Sequence, residues 1–502
     1  MSGRLLVLGF ELGCGRLMRR LAADGTMPHL ARLLARGRFR WLATPAEELH
    51  VAAWPSLYTG APPGEHGVYF TFQPHPGHQG WRRFAPGLYG VPTFWKRLDE
   101  AGVPTLVLDA PYSHPEEGFG GAAVFDWGCW ARYLAPTSTP AALLGELVAA
   151  VGRYPLPWEA HALGFAPLDP QRLERELRRA LEARVEAARW LAARHPWRLF
   201  FLVFGETHLM GHYLFGDEER LARLHRALDD AIARIAALLG PEDGLVLVSA
   251  DATRPNRSAC HLLPDILARL GHYAAAGLAG TEQGAPARRG RDPLTALRDL
   301  MPKELRKTLA GLLPRRLRER LAHHVDTAGI DWSRTAAFPL PSDLEGLVRV
   351  NLQGREPLGT VAPGADYERL LGELETELGA LRDRHGRPAV RAVLRSDRRF
   401  PGRRRAYLPD LVVLWNEEAE LTELSAPRIG RVQAPSPDPR PGTHAGPGFL
   451  LFAAPGVAAG EADGASVYDL APSLLAHFGL PDSDALAGRV LPEFRRSMVE
   501  EM

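Results

Sequence analysis

Six short apolar runs, bounded by turn-forming residues and separated by helical stretches, constrain this chain most. They are RLLVLGF (4–10), TLVLDAP (105–111), WRLFFLVFGE (197–206), DGLVLVSAD (243–251), PDLVVLWN (409–416) and GFLLFAAPG (448–456). Runs this short and this uniformly apolar read as strands buried on both faces, as in parallel sheets covered by helices. Helical periodicity fills the intervals, with one helix around 15–37, the segment WKRLDEAG before the second run, a long helix at about 168–194 and another at 217–239. The pattern predicts an α/β fold with a mostly parallel central sheet and helices on both faces. In such sheets ligand groups gather beyond the carboxyl ends of the strands. Glu11, Glu206 to His208, and Asp251 stand at those ends.

The 502 residues leave room for a smaller helical or mixed insertion beside this core. A net charge of +1 gives no global field to attract nucleic acid. Cys14, Cys129 and Cys260 are too few and too far apart for a disulfide framework, which points to a reducing, cytoplasmic setting. Residues 4–10 are short for a signal segment and read better as a first strand. No stretch reaches the roughly 18 apolar residues of a membrane span. Between 288 and 320 there are eleven Lys or Arg against four Asp or Glu. That segment reads as a solvated helical insertion, or as a cap, partner surface or membrane-surface helix. The expected division is 1–270 for the first part of the core, 271–345 for the basic insertion, and 346–502 for the rest of the core.

Several segments together resemble one family. They are GTMPHLARLLARG (25–37), AAWPSLYTGAPPGEHGVY (52–69), GETHLMGHYLFG (205–216), IDWSRTAAF (330–338), NLQGREPLGTV (351–361), LPDLVVLW (408–415), PGTHAGPGFLLFAAPGV (441–457) and YDLAPSLLAHFGLPDSDALAGRVL (468–491). Read as a set, they resemble the type I phosphodiesterase/nucleotide pyrophosphatase branch of the alkaline phosphatase superfamily. The resemblance implies an alkaline-phosphatase-like core and two metal ions about 4 Å apart that clamp an in-line displacement. It also implies a Thr or Ser nucleophile at a helix N-terminus, where backbone amides hold phosphate.

Carried over position by position, the resemblance implies an altered site. The first-strand Asp falls at Glu11. The nucleophile, four residues before Trp54, falls at His50. The Asp and His of an Asp-x-x-x-His pair fall at His208 and His212. A Ser-Asp-His-Gly motif reads Ser249, Ala250, Asp251, Ala252, and the late His is His444. One ion would then rest on His208, His212 and His444, and a second on Glu11, His50 and Asp251. Such ligands suit zinc, iron, copper or cobalt and disfavour magnesium or calcium. The implied cofactor is two transition-metal ions, zinc or else iron, copper or manganese. With no hydroxyl at position 50, covalent phospho-threonine chemistry is excluded there. His50 is left as ligand, general base or nucleophile.

Each candidate also has a plainer reading. His208 and His212 could be a chance i,i+4 pair, His50 a helix-end hydrogen-bonding group, and Glu11 or Asp251 a cap. Glu206 could orient a ligand. Arg254 and Arg257 could bind an anionic small-molecule substrate or belong to a solvated loop. His66 reads as a loop anchor, His261 as core or surface, and the GREP of 354–357 as a structural turn with an ion pair. Trp81, Tyr89, Trp95, Trp127 and Trp130 could line a pocket or fill the core.

Three functions stay open at this point. One is hydrolysis of a phosphate, phosphonate or sulfate ester, with metal-activated hydroxide replacing the Thr alkoxide. Another is an iron- or copper-dependent oxidase or oxygenase in a specialised biosynthetic pathway. The third is a non-catalytic relative that binds a ligand or partner.

Overall fold

The computed structural model describes residues 3–83, 89–128, 135–156, 169–275, 329–481 and 486–495. It divides into two units. The first comprises Met1–Tyr69, Ala85–Asn256 and Asp438–Met502, and the second Phe70–Phe84 and Arg257–Pro437.

The first unit is built on a nine-stranded sheet. Its order is Gly460–Ser466, Arg38–Ala43, Gly448–Ala453, Gly244–Ser249, Leu5–Phe10, Leu199–Phe204, Thr105–Leu108, Ala122–Phe125 and Thr137–Thr139. Only Gly448–Ala453 and Thr137–Thr139 run against their neighbours. The Leu5–Phe10 strand lies at the centre and pairs in parallel on both sides, with Val7 opposite Phe201 and Val246. Because side chains alternate, Leu6, Leu8 and Phe10 enter one apolar cluster, with residues of the helices Pro170–Arg194 and Glu218–Ala236. Leu5 and Val7 enter the other, with the helices Ala53–Thr59, Phe94–Glu100 and Leu470–His477. The α/β core with helices on both faces is thus as the apolar runs predict.

Three local expectations change. The helix expected over 15–37 is two helices, Gly15–Ala23 and Pro28–Arg36. Gly25, at φ +82°, reverses the chain between them, and Pro28 starts the second at a position where its missing N–H costs nothing. The run at 409–416 does not join the nine-stranded sheet. Its strand Leu411–Trp415 lies in a four-stranded antiparallel sheet of the second unit, with Ala337–Leu340, Gly346–Val350 and Val390–Arg395. Residues 346–437 therefore belong to the second unit and not to the core, because this sheet has its own apolar cluster around Val348, Leu374 and Val413. The basic helices expected at 288–320, Cys129 and Trp130 lie outside the described residues. Cys14 and Cys260 are free thiols. Among the described residues no helix is long and apolar enough to cross a membrane.

The GREP turn is an ion network within the second unit. Arg355 donates to both oxygens of Asp410 at 2.7 Å, and Arg349 Nε donates to Glu356 Oε1 at 2.8 Å. Gly354, at φ +80°, makes the turn that points Arg355 back at Asp410. Trp95 and Trp127 are buried in the core of the first unit.

His66 anchors its loop in the neutral form. Its Nδ1 accepts from Val68 N at 3.1 Å, so Nε2 carries the proton facing Ser56 Oγ at 3.0 Å. Burial pulls its pKa down to about 3, and burial also lowers that of His225. Between pH 6.5 and these depressed values the unfolded chain binds protons that the folded chain refuses, so stability falls as the pH falls. Each such histidine contributes a slope of up to roughly 1.4 kcal/mol per pH unit. With a chelator present to remove metal effects, thermal midpoints should drop steadily from about pH 7 to about pH 5. A flat profile over that range would show that these rings are not held neutral.

Candidate metal centre

Three adjacent strands end side by side and deliver the site. Leu5–Phe10 leads into Glu11, Leu199–Phe204 into the helix Glu206–Tyr213, and Gly244–Ser249 into Asp251. Their ends are tied together. Ser249 Oγ donates to Phe10 O at 2.5 Å and accepts from Gly13 N at 3.1 Å. Thr207 Oγ1 lies 2.6 Å from Glu11 O and 2.8 Å from Phe204 O. A two-stranded ribbon then closes over these ends, Ala252–Pro255 pairing antiparallel with Gly442–Ala445 so that Thr253 faces His444. His50 opens the short turn His50–Ala52 that runs into the helix Ala53–Thr59.

Glu11, His50, His208, His212, Asp251 and His444 are all buried in this unit, none more than 4% exposed. His208 and His212 share a face of their helix, with ring centroids 4.3 Å apart. The His444 ring lies 5.3 Å from that of His208, 5.1 Å from that of His212 and 4.7 Å from that of His50. Ligand atoms of His208, His212 and His444 fall within 4.8 Å of one another. Glu11 Oε1 stands 3.7 Å from His208 Nδ1.

Two of the three rings are oriented from behind. His212 Nδ1 donates to Gly442 O at 2.7 Å, which turns Nε2 and its lone pair forward. His444 Nδ1 faces Asp251 Oδ2 at 2.7 Å, and Asp251 Oδ1 accepts from Leu12 N at 2.9 Å. Three buried imidazoles whose ligand atoms lie within 4.8 Å of one another, two of them oriented by a carbonyl and a carboxylate, are a donor set that fits a transition metal. The residues present therefore fit the metal that the resemblance implies.

Asp251 departs from its expected place as a ligand. The ribbon register brings His444 against it, so both its oxygens hold an orienting position. Glu206 also departs from expectation. Its Oε1 accepts from Tyr154 Oη at 2.8 Å and from Arg184 Nη2 at 3.1 Å, so it belongs to a buried ion network. Arg184 bonds Asp109 as well. Arg254 sits one residue beyond Thr253, and strand alternation sends it to the ribbon face opposite His444. Arg257 belongs to the second unit, where its exposed guanidinium donates to Glu417 O at 2.9 Å. His261, in the same unit, meets Ala434 O at 3.1 Å.

Arg440 was missed by sequence reasoning. Its Nη1 lies 3.3 Å from His212 Nε2, and Asp438 holds its other edge. The only sequence signal for it is an arginine four residues before His444, in a proline-rich stretch that reads as a turn.

The sequence model of the type I phosphodiesterase / nucleotide pyrophosphatase family matches residues 7–258. The chain belongs to this family. That span carries Glu11, His50, His208, His212 and Asp251. Among solved structures, phosphonoacetate hydrolase from Sinorhizobium meliloti 1021, in complex with phosphonoacetate, is similar with a TM-score of 0.51 at 15% identity, over 94% of each chain. Murine ectonucleotide pyrophosphatase / phosphodiesterase 5, an inactive form in complex with AMP, gives 0.50 at 12% identity over 96% of each chain. The human counterpart gives 0.50 at 10% identity, again over 96% of each. At these identities the likeness speaks for the fold, which is that of alkaline-phosphatase-like hydrolases. A search of curated protein sequences finds no match.

Proposed function

We propose that this phosphodiesterase-family chain is a metal-dependent hydrolase of a small anionic phosphate or phosphonate ester. The observation that carries the reading is the convergence of His208, His212 and His444 in a family scaffold. The phosphonoacetate and AMP held by the two solved relatives support the substrate class. When bound, a divalent transition metal would supply Lewis acidity and bring the pKa of a water toward about 7.

The chain's own groups do the rest. The three imidazoles would hold the ion, with Gly442 O and Asp251 fixing two of them. Glu11 adds a negative charge beside His208. A second ion would rest on Glu11 and His50, and stoichiometry decides whether it is there. His50 stands where the family has its hydroxyl nucleophile, so transfer goes to water directly; with no second ion on it, the lone-pair nitrogen of His50 accepts the proton. Burial of the whole cluster keeps bulk water away from the charges that develop.

The test is elemental analysis of protein purified without added metal, beside a His208→Ala/His212→Ala variant, with hydrolysis of nitrophenyl phosphate mono- and diesters and phosphonates. One or two zinc ions per chain are expected, lost from the variant together with at least about a hundredfold of the hydrolysis. Iron or copper with oxygen uptake and no ester cleavage would replace this reading by the redox one. No metal in either protein would leave a non-catalytic relative.

A further inference from the structure

A cavity of about 480 Å³ lies within the first unit, beside the helix Glu206–Tyr213. That volume is in the range of small-molecule sites. Thr207, Met210 and Gly211 line it, on a different face of this helix from the one His208 and His212 share. Leu12, Leu17, Phe215 and Leu221 make the rest of the wall mostly apolar.

Two polar features of the wall point to a ligand. His225 is 4% exposed and lines the cavity at its buried end. Its Nδ1 donates to Leu221 O at 2.7 Å, one turn back on its own helix, so Nε2, across the ring, is left as the acceptor. Among the described residues no group donates to that nitrogen. Whatever fills the cavity therefore meets a buried acceptor, which takes an O–H or N–H. At the exposed end stands the helix Gly15–Ala23, whose start contributes Cys14 and Arg16. No side chain caps this N-terminus, and its first turn holds no acidic residue. Arg16 is exposed and makes no ion pair among the described residues. Arg20, one turn further, reaches Glu218 at 3.6 Å, with both side chains largely exposed. Backbone amides and Arg16 give this end a positive potential, which favours an anion. Between the two ends, the Phe215 ring and the Met210 thioether suit a flat aromatic body.

We propose that this cavity binds a small aromatic acid bearing a hydroxyl group. Its carboxylate sits at the start of the helix Gly15–Ala23 beside Arg16, and its hydroxyl donates to His225 Nε2. The site uses none of the candidate metal ligands, so it stands or falls apart from the hydrolase reading.

The test uses 6-hydroxy-2-naphthoate as probe in titration calorimetry, beside 2-naphthoate, which lacks the hydroxyl, and 2-naphthol, which lacks the carboxylate. Wild type should bind the hydroxy acid at least about threefold more tightly than either truncated compound. His225→Phe should erase the preference over 2-naphthoate while keeping the affinity for 2-naphthoate itself. Arg16→Glu should weaken both acids by roughly threefold or more and leave 2-naphthol unchanged. Thermal melts check folding. Location is read on Cys14, a half-buried free thiol on the wall. The hydroxy acid should slow its alkylation by iodoacetamide, followed by peptide mass spectrometry, while Cys260 in the second unit reacts as before. No binding at millimolar concentration would overturn the assignment. So would equal alkylation of Cys14 with and without the acid, or a hydroxyl preference that survives in His225→Phe. If His225→Phe does not fold, Arg16→Glu at its exposed position decides, and unchanged affinity for both acids overturns the proposal.

Discussion

Arg184→Met is expected to destabilise the first unit by about 3–5 kcal/mol, the range for removing one partner from a buried ion network. Arg184 is fully buried between Asp109 and Glu206, both also fully buried. Its Nη2 further donates to Gly128 O at 2.7 Å. Methionine fills much of the volume but leaves two carboxylates without a cation in a low-dielectric interior. Asp109 would keep its bonds from Trp127 N and Gly128 N, each 2.8 Å. Glu206 would keep only Tyr154 among the partners described above. Because Glu206 opens the helix that carries His208 and His212, metal affinity should fall along with the denaturation midpoint. The measurement is chemical denaturation paired with zinc titration. An unchanged midpoint would mean that the network contributes packing alone.

Gly442→Ala should act at the centre itself. A Cβ at this position would meet Gly211 O at 2.0 Å and Phe215 Cβ at 2.6 Å. Neither is the free end of a flexible side chain, so the strand Gly442–Ala445 or the His212 helix must move. Overpacking of this kind costs about 1–3 kcal/mol. The functional loss should be larger in proportion, because Gly442 O is what orients His212, and His444 lies two residues further along the same strand. Disturbing such an orienting partner typically weakens metal binding roughly 10- to 100-fold. Chelator competition reads this directly. Gly145→Ala is the control, since a Cβ there meets nothing within 4 Å and the residue lies in a helix. Its midpoint should stay level or rise. Equal zinc affinity in Gly442→Ala and wild type would show that the contact is slack.

The strands that make the core were legible because burial on both faces writes itself as an unbroken apolar run. Leu5–Phe10, Leu199–Phe204, Gly244–Ser249 and Gly448–Ala453 all fall within such runs. The strand Leu411–Trp415 has the same signature yet joins a different sheet. An apolar run records burial and says nothing of which partner buries it. The six candidate residues were picked out through the family motifs, and the structure brings them into one buried cluster. Their individual tasks were harder to read. That Asp251 faces His444, and that Arg254 turns away, follow from a one-residue choice of register between segments far apart in the chain. Nothing local in ADATRPN or PGTHAGPG encodes that choice. Arg440 escaped for the same reason. Its meaning depends on His212, 228 positions away.

The ribbon that carries His444 also sets an order of events. His212 and its acceptor carbonyl at Gly442 are separated by 230 positions, and the whole second unit except residues 70–84 is encoded between them. A chain emerging from the ribosome exposes His208 and His212 long before the strand that completes the triad exists. Two imidazoles on one helix hold an ion far more weakly than three. On the metal-dependent reading proposed above, loading of the centre would be a late step, coupled to the arrival of one short strand, and a nascent chain would be spared from trapping metal before its scaffold is finished.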